Sequence, residues 1–231
     1  MRMRKKKHSA ERIAACSEYL IDTSLLSGAD PSLFFPEKRQ TALEIGCGKG
    51  DFAVGLSSAN PGLNLIAVER VPDVAMFALE KAAATAEERP DNLRFIIGNA
   101  EYLCDWFAPH TFSRIFLNFS DPWPRKGEHK RRLTAPGFLR NYSKLLVPDG
   151  TLSFKTDNRD LFEWTVERFA DFSLPVEEIT RDLHSSEYAA GNIMTEYERR
   201  FVGLGVPICY VKVRIPGELA RPLDEREEKK L

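Results

Sequence analysis

Long apolar runs are missing from this sequence of 231 residues. No stretch approaches the ~18 uninterrupted apolar residues that a membrane-spanning helix needs, and the basic start Met1 to His8 leads into Ser9, Glu11 and Arg12 rather than an apolar signal region. A cytoplasmic protein without a membrane partner is expected. Cysteine is scarce: Cys16, Cys47, Cys104 and Cys209 stand far apart with no Cys-x-x-Cys pair, which argues against a zinc site and a disulfide framework. His129 and His184 have no metal-ligand spacing, so no metal is expected. Repeats and low-complexity tracts are absent too, which excludes solenoids and arrays. Net charge is only -1, so no excess of one sign marks the whole chain as a polyanion binder.

That small sum hides two basic clusters. One is Arg2, Arg4, Lys5, Lys6 and Lys7; the other runs from Arg125 to Arg132, with cations at Arg125, Lys126, Lys130, Arg131 and Arg132 against the single acid Glu128. The hydrophobic share of 43% supports a sizeable core, and the length suits one α/β unit better than two. Apolar runs alternate with segments of helical period, the mark of repeated βα units. Strands are expected over 42–45, 63–68, 93–97, 114–119, 151–155, 176–180 and 208–214, and helices over 51–58, 72–86, 100–107, 136–146, 160–169 and 196–204. This predicts a Rossmann-like α/β fold: a sheet of about seven strands, mostly parallel, with helices on both faces. Within one domain spanning 1–231, residues 1–8 read as a disordered basic arm, 9–39 as an appendage packing over the sheet edge, 40–215 as the core and 216–231 as a charged tail. In the appendage, Ile13, Leu20, Leu25, Phe34 and Phe35 supply the apolar positions.

The first strand runs directly into Gly46-Cys47-Gly48-Lys49-Gly50, where glycines let backbone approach a ligand closely. A dinucleotide fingerprint would need glycine at position 51, which is Asp51. Glu69 ends the second strand, 25 positions after Glu44, where a carboxylate can accept both hydroxyls of a ribose. Asn99, followed by Ala100, ends the third strand at the height of an adenine edge. Glu44, before the glycine turn, suits the cationic amino group of a methionine moiety and would repel a pyrophosphate. Together these residues favour S-adenosylmethionine over NAD. By itself the glycine loop is also compatible with an ordinary tight βα turn.

The fourth strand delivers Asp121-Pro122-Trp123-Pro124 to the carboxyl end of the sheet, where open α/β sheets bind ligands. Two prolines stiffen the loop, which resembles the Asp/Asn-Pro-Pro-aromatic loop of enzymes that methylate nucleobase nitrogens. Trp123 fits either a base-stacking or a core role. The basic run that follows would place cations where a phosphate backbone must pass. An NAD-dependent oxidoreductase would explain the glycine loop and Glu69, but not Glu44 or the proline loop. A non-catalytic RNA-binding subunit would be expected to have lost cofactor residues.

Asp121 to Pro124, Lys130-Arg131-Arg132-Leu133, Lys155-Thr156-Asp157-Asn158 and Thr195-Glu196-Tyr197-Glu198 together resemble the bacterial tRNA (guanine-N7)-methyltransferase family, over about Gln40 to Val213. The resemblance implies that Glu44, Gly46, Gly48, Glu69, Asn99, Ala100 and Asp121 surround S-adenosylmethionine, with Asp121 the active-site residue. It implies that Arg125, Asp157, Thr195, Glu196, Tyr197 and Glu198 bind the substrate nucleotide, and that Lys126, Lys130, Arg131 and Arg132 lie against tRNA. The family often has Asp where this chain has Asn99, and Lys where it has Arg125. The implied product is 7-methylguanosine in the variable loop, the alternative being another RNA base methylated from the same donor. A monomer or homodimer with no obligate protein partner is expected. Guanine N7 already carries a lone pair, so alignment and electrostatics should supply most of the catalysis, with Asp121 the first candidate and Asp157 the second.

Overall fold

A computed structural model describes residues 8–84, 90–217 and 219. The apolar runs become β1 (Gln40–Ile45), β2 (Leu63–Glu69), β3 (Leu93–Ile97), β4 (Phe112–Asn118), β5 (Leu146–Thr156), β6 (Val176–Thr180) and β7 (Cys209–Arg214). They form one sheet in the order β3-β2-β1-β4-β5-β7-β6. β1 to β5 are parallel, and β7 runs antiparallel to both β5 and β6. α1 (Ser9–Ala14) precedes the first strand, and between the strands lie α2 (Asp51–Ala59), α3 (Pro72–Ala84), α4 (Leu103–Trp106), α5 (Pro136–Leu145), α6 (Arg159–Asp171) and α7 (Glu196–Gly203).

The alternation of side chains along a strand explains the two layers of core. Ala42, Leu65 and Ala67 pack with Phe52 and Leu56 of α2 and Ala78 and Leu79 of α3. Their neighbours Leu43, Ile66 and Val68 pack with Leu103 of α4, Leu139 of α5 and Phe162 of α6. Both faces of the central strands are therefore dry, which is why those strands read as continuous apolar runs. The chain winds outward from β1 to β3 and then returns to place β4 on the other side of β1. Loops leaving β1 and β4 diverge at that switch point and open a crevice beyond their carboxyl ends.

Several boundaries differ from expectation for local reasons. The helix expected over 100–107 is a 3-10 turn, Ala100–Tyr102, followed by the short α4, because the Asn99 side chain accepts from the Glu101 amide and starts the turn at a tight cap. β5 starts at Leu146 rather than 151: Leu146 pairs with Phe112 and Thr151 with Arg114, so the turn at 147–150 is accommodated as a bulge with Asp149 at φ 62. The expected helix end at 86 lies outside the described residues, as do the basic arm over 1–7 and the tail beyond 219. The N-terminal segment pairs with the free edge of β3 through the Ile21 amide, which donates to the Phe95 carbonyl at 2.9 Å. Phe35 is buried in the core, whereas Leu25, expected to pack, is 66% exposed.

Candidate functional site

At the end of β1 the backbone takes three left-handed steps, at Gly46 (φ 80), Gly48 (φ 58) and Gly50 (φ 78). Side chains at 46 or 48 would meet no atom within 4 Å, so the glycines serve the turn and leave its inner surface open. Gly50 has a second reason: a Cβ there would lie 2.7 Å from the Ala78 Cβ, where α2 and α3 meet. Gly50→Ala should therefore lower stability by about 2–4 kcal/mol, combining left-handed strain with overpacking. Chemical denaturation would measure it, and a loss below about 0.5 kcal/mol would show that α3 yields freely.

Glu44 stands just before this turn and is 1% exposed. Its Oε1 accepts from Asn118 Nδ2 at 2.9 Å, while Oε2 is buried with no hydrogen-bond partner among the described residues. Desolvation pushes its carboxyl up to about 7, against the opposing effects of the Asn118 bond and the Lys155 charge. A buried carboxylate oxygen left without a donor is costly, so this atom calls for a cationic or donor group from a ligand. Glu69 plays a different local role: Oε2 accepts from the Gly48 amide at 3.1 Å and Oε1 from the Val71 amide at 2.8 Å. The carboxylate thereby ties the glycine turn to the end of β2, with lone pairs still available for further donors. Asn99 Nδ2 donates to Glu101 Oε2 at 3.0 Å, so its amide is engaged within its own turn.

Two adjoining cavities bend around the glycine turn. One, of about 370 Å³, is lined by Glu44, Gly46, Gly48, Phe119, Thr195 and Tyr197 among others. The other, of about 580 Å³, is lined by Gly48, Glu69, Asn99, Ala100, Asp121 and Trp123 among others. Gly46, Gly48 and Phe119 belong to both walls.

The loop after β4 is held under strain. Phe119 (φ 53) and Trp123 (φ 40) both adopt left-handed backbone, which costs of order 1–3 kcal/mol per residue and persists only where surroundings impose it. Here the Phe119 amide donates to the Lys155 carbonyl at 2.8 Å, while Arg132 donates from Nε to the Pro122 carbonyl at 2.8 Å and from Nη2 to the Trp123 carbonyl at 3.3 Å. Arg132 is buried, with its guanidinium 4.5 Å from the centre of the Trp164 ring. Arg132, expected to lie against tRNA, instead turns inward and gives two of its donors to orphan carbonyls of the proline loop, which it braces from behind. Arg125, Lys126, Lys130 and Arg131 remain exposed, on and beside a 3-10 segment, Lys126–Arg131. Arg131 also lies 3.5 Å from the centre of the half-buried Trp123 ring. Asp121 is exposed at the cavity rim and engages no other described residue through its carboxylate.

Thr195 caps α7 in a reciprocal box with Glu198, the first satisfying the Glu198 amide and the second the Thr195 amide. Tyr197 stacks at 4.5 Å on Phe201 and meets Phe119 at 5.0 Å, and its hydroxyl donates to Asp157 Oδ2 at 3.4 Å. Glu196 pairs with Lys49 of the glycine turn at 3.1 Å, and its amide donates to Asp51 Oδ2 at 3.2 Å. Glu198 corrects another expectation. It is fully buried, with Oε1 against His184 and Asn192 and Oε2 against Lys155, which leaves it no surface to offer a nucleotide. Lys155, absent from the expected site, sits beneath it. A lysine following Phe154 in a buried strand was the available signal, but its acidic partner lies 43 positions away.

Among the described residues no group of His, Cys, Asp and Glu has the arrangement of a metal site, and no helix is long and apolar enough to cross a membrane. Residues 38–211 match the family described as putative methyltransferase. A tRNA (guanine-N(7)-)-methyltransferase of Lachnoclostridium phytofermentans is 43% identical over 90% of this chain and 95% of its own length. The enzyme of that description from Geobacillus sp. (strain WCH70) is 40% identical over 94% of this chain and 96% of its own. The 16S rRNA methyltransferase KamB, at 16% identity, shares the fold with a TM-score of 0.57 over 77% of this chain and 88% of its own. With the glycine turn and the strained proline loop converging at the switch point of such a sheet, and with likeness of this extent along nearly the whole sequence, the chain belongs to the tRNA (guanine-N(7)-)-methyltransferase family.

Proposed function

We propose that this protein transfers a methyl group from S-adenosylmethionine to N7 of a guanosine in the variable loop of tRNA, forming 7-methylguanosine. The observation that carries the cofactor assignment is Glu44, a buried carboxylate with one unpartnered oxygen beside the open glycine turn. When bound, S-adenosylmethionine supplies an electrophilic methyl on a sulfonium centre. Glu44 suits its ammonium group, Glu69 its ribose hydroxyls, and Asn99 with Ala100 its adenine, while Gly46 and Gly48 leave room for it. No general base is required at an N7 lone pair, so the chain's contribution is alignment and charge. Asp121, carried by the braced proline loop to the rim of the same trough, suits the position where positive charge grows on the base. Asp157, through Tyr197, shapes the nucleotide side of the site together with Thr195 and Glu196.

The exposed cations Arg125, Lys126, Lys130 and Arg131 provide a path for tRNA phosphates next to that rim. The two relatives named for tRNA support this substrate class. In this reading residues 1–231 act as one catalytic unit in the cytoplasm, needing no metal and no obligate partner, as a monomer or homodimer. The test is transfer of labelled methyl to unmodified tRNA followed by nucleoside identification. Appearance of 7-methylguanosine is expected; label in a different base would move the assignment to another RNA base methylation, and no transfer despite cofactor binding would remove the tRNA claim.

A further inference from the structure

Lys155 joins the two sides of the trough. Its backbone carbonyl accepts from Phe119 at the root of the loop that carries Asp121. Its ammonium group, 3% exposed as a residue, donates to Asn192 Oδ1 at 2.8 Å, to the Ile193 carbonyl at 3.1 Å and to Glu198 Oε2 at 2.6 Å. All three donors of the ammonium are thereby used, and all three acceptors belong to the segment that ends in α7. The rings of Phe52 and Phe119 flank the cation, each with its centre 5.6 Å away. By contrast, two further ion pairs on α7 are more open: Lys49 with Glu196 is exposed on both sides, and Arg199 with Asp51, at 3.8 Å, is exposed on the arginine side.

We infer that Lys155 is the positioning residue that sets where α7, and with it Thr195, Glu196 and Tyr197, stands over the cofactor cavity. Glu198, although part of the Thr-x-Tyr-Glu motif, serves as the buried receptor of that cation rather than as a contact to the nucleotide. A buried pair of this kind needs both partners, because removing one leaves the other charge uncompensated. Changing the side chain at 155 leaves the carbonyl bond to Phe119 in place, so the effect should fall first on α7, with only the ring contact to Phe119 carrying a smaller part to the loop of Asp121.

The consequence for tRNA rests on the function proposed above; the structural part does not. Lys155→Met should speed amide hydrogen exchange over 192–203 in the cofactor-free protein by about tenfold or more while β1 to β4 keep their protection. With tRNA it should raise KM about tenfold and change kcat less than about threefold. Unchanged exchange over 192–203, or a fall in kcat at normal KM, would overturn the inference. Because the single variant leaves Glu198 as an uncompensated buried charge, Lys155→Met with Glu198→Met is the second variant: it should recover part of the lost thermal stability yet keep KM raised about fivefold or more, since Asn192 and Ile193 still lack their donor and the cap on Thr195 is gone as well. A normal KM in the double variant would equally overturn it. If the wild-type chain fails to methylate tRNA, the function falls, and the exchange measurement still decides the role of Lys155.

Discussion

Asp121→Asn and Asp121→Ala should each lower kcat by about 10²–10³ with cofactor affinity changed far less, the range seen when one preorganised electrostatic contact to a transition state is removed. The carboxylate engages no other described residue and sits on a loop that pays for left-handed backbone at Phe119 and Trp123. Strain and bracing of that kind fix an acid in place before the reaction rather than during it. As methyl transfer proceeds, positive charge leaves sulfur and grows on the guanine ring, so a fixed negative charge stabilises the transition state more than the neutral base. Asp157 lies near the Tyr197 hydroxyl and should matter less, with Asp157→Asn costing about tenfold. Single-turnover rates separate the two: a normal rate in Asp121→Asn beside a large loss in Asp157→Asn would exchange their roles, and near-normal rates in both would remove carboxylate stabilisation from the mechanism.

Glu44→Gln should weaken S-adenosylmethionine binding by about thirtyfold or more and, at the same time, stabilise the free protein. The sign follows from burial. The folded chain disfavours the ionised carboxylate, raising its titration from 4.5 to about 7, so stability is full below the unfolded value, falls as pH rises from about 4.5 to 7, and stays low above. Glutamine keeps an oxygen for Asn118 and removes the ionisation, returning stability on the order of 3 kcal/mol at pH 8 and almost none at pH 4.5. Cofactor affinity in the wild type should rise with pH through about 7, because only the ionised form attracts an ammonium, and this rise should vanish in Glu44→Gln. Calorimetric titration at pH 6, 7 and 8 with thermal unfolding at the same values measures both. Equal affinity of the two proteins at pH 8 would separate Glu44 from the cofactor. A function-stability exchange of this type is common where a site holds a polar group that folding alone would not choose.

Exposed cations show where pattern reading stops. Arg131 and Arg132 are neighbours in one basic run, and nothing in their sequence context distinguishes them. One faces solvent over Trp123 while the other is buried against the carbonyls of Pro122 and Trp123. The difference is made by orphan acceptors in a loop whose geometry depends on β5 and on Trp164 of α6. Glu198 is similar: nothing beside it in the sequence marks it as interior, and the lysine 43 positions earlier, with His184 and Asn192, makes it so.

Local physics was enough for much of the rest. Period-two and period-3.6 patterns, glycines before α2 and prolines around Trp123 act over a few residues, and they suffice for the βα alternation, the glycine turn with Glu44 and Glu69 beside it, and a stiff acidic loop after the fourth strand. Which charges face water, where α7 stands and how a buried Lys155 meets it are set by the folded arrangement. Those outcomes depend on desolvation and on partners far apart in the chain, quantities that a linear pattern does not carry until the sheet has brought them together.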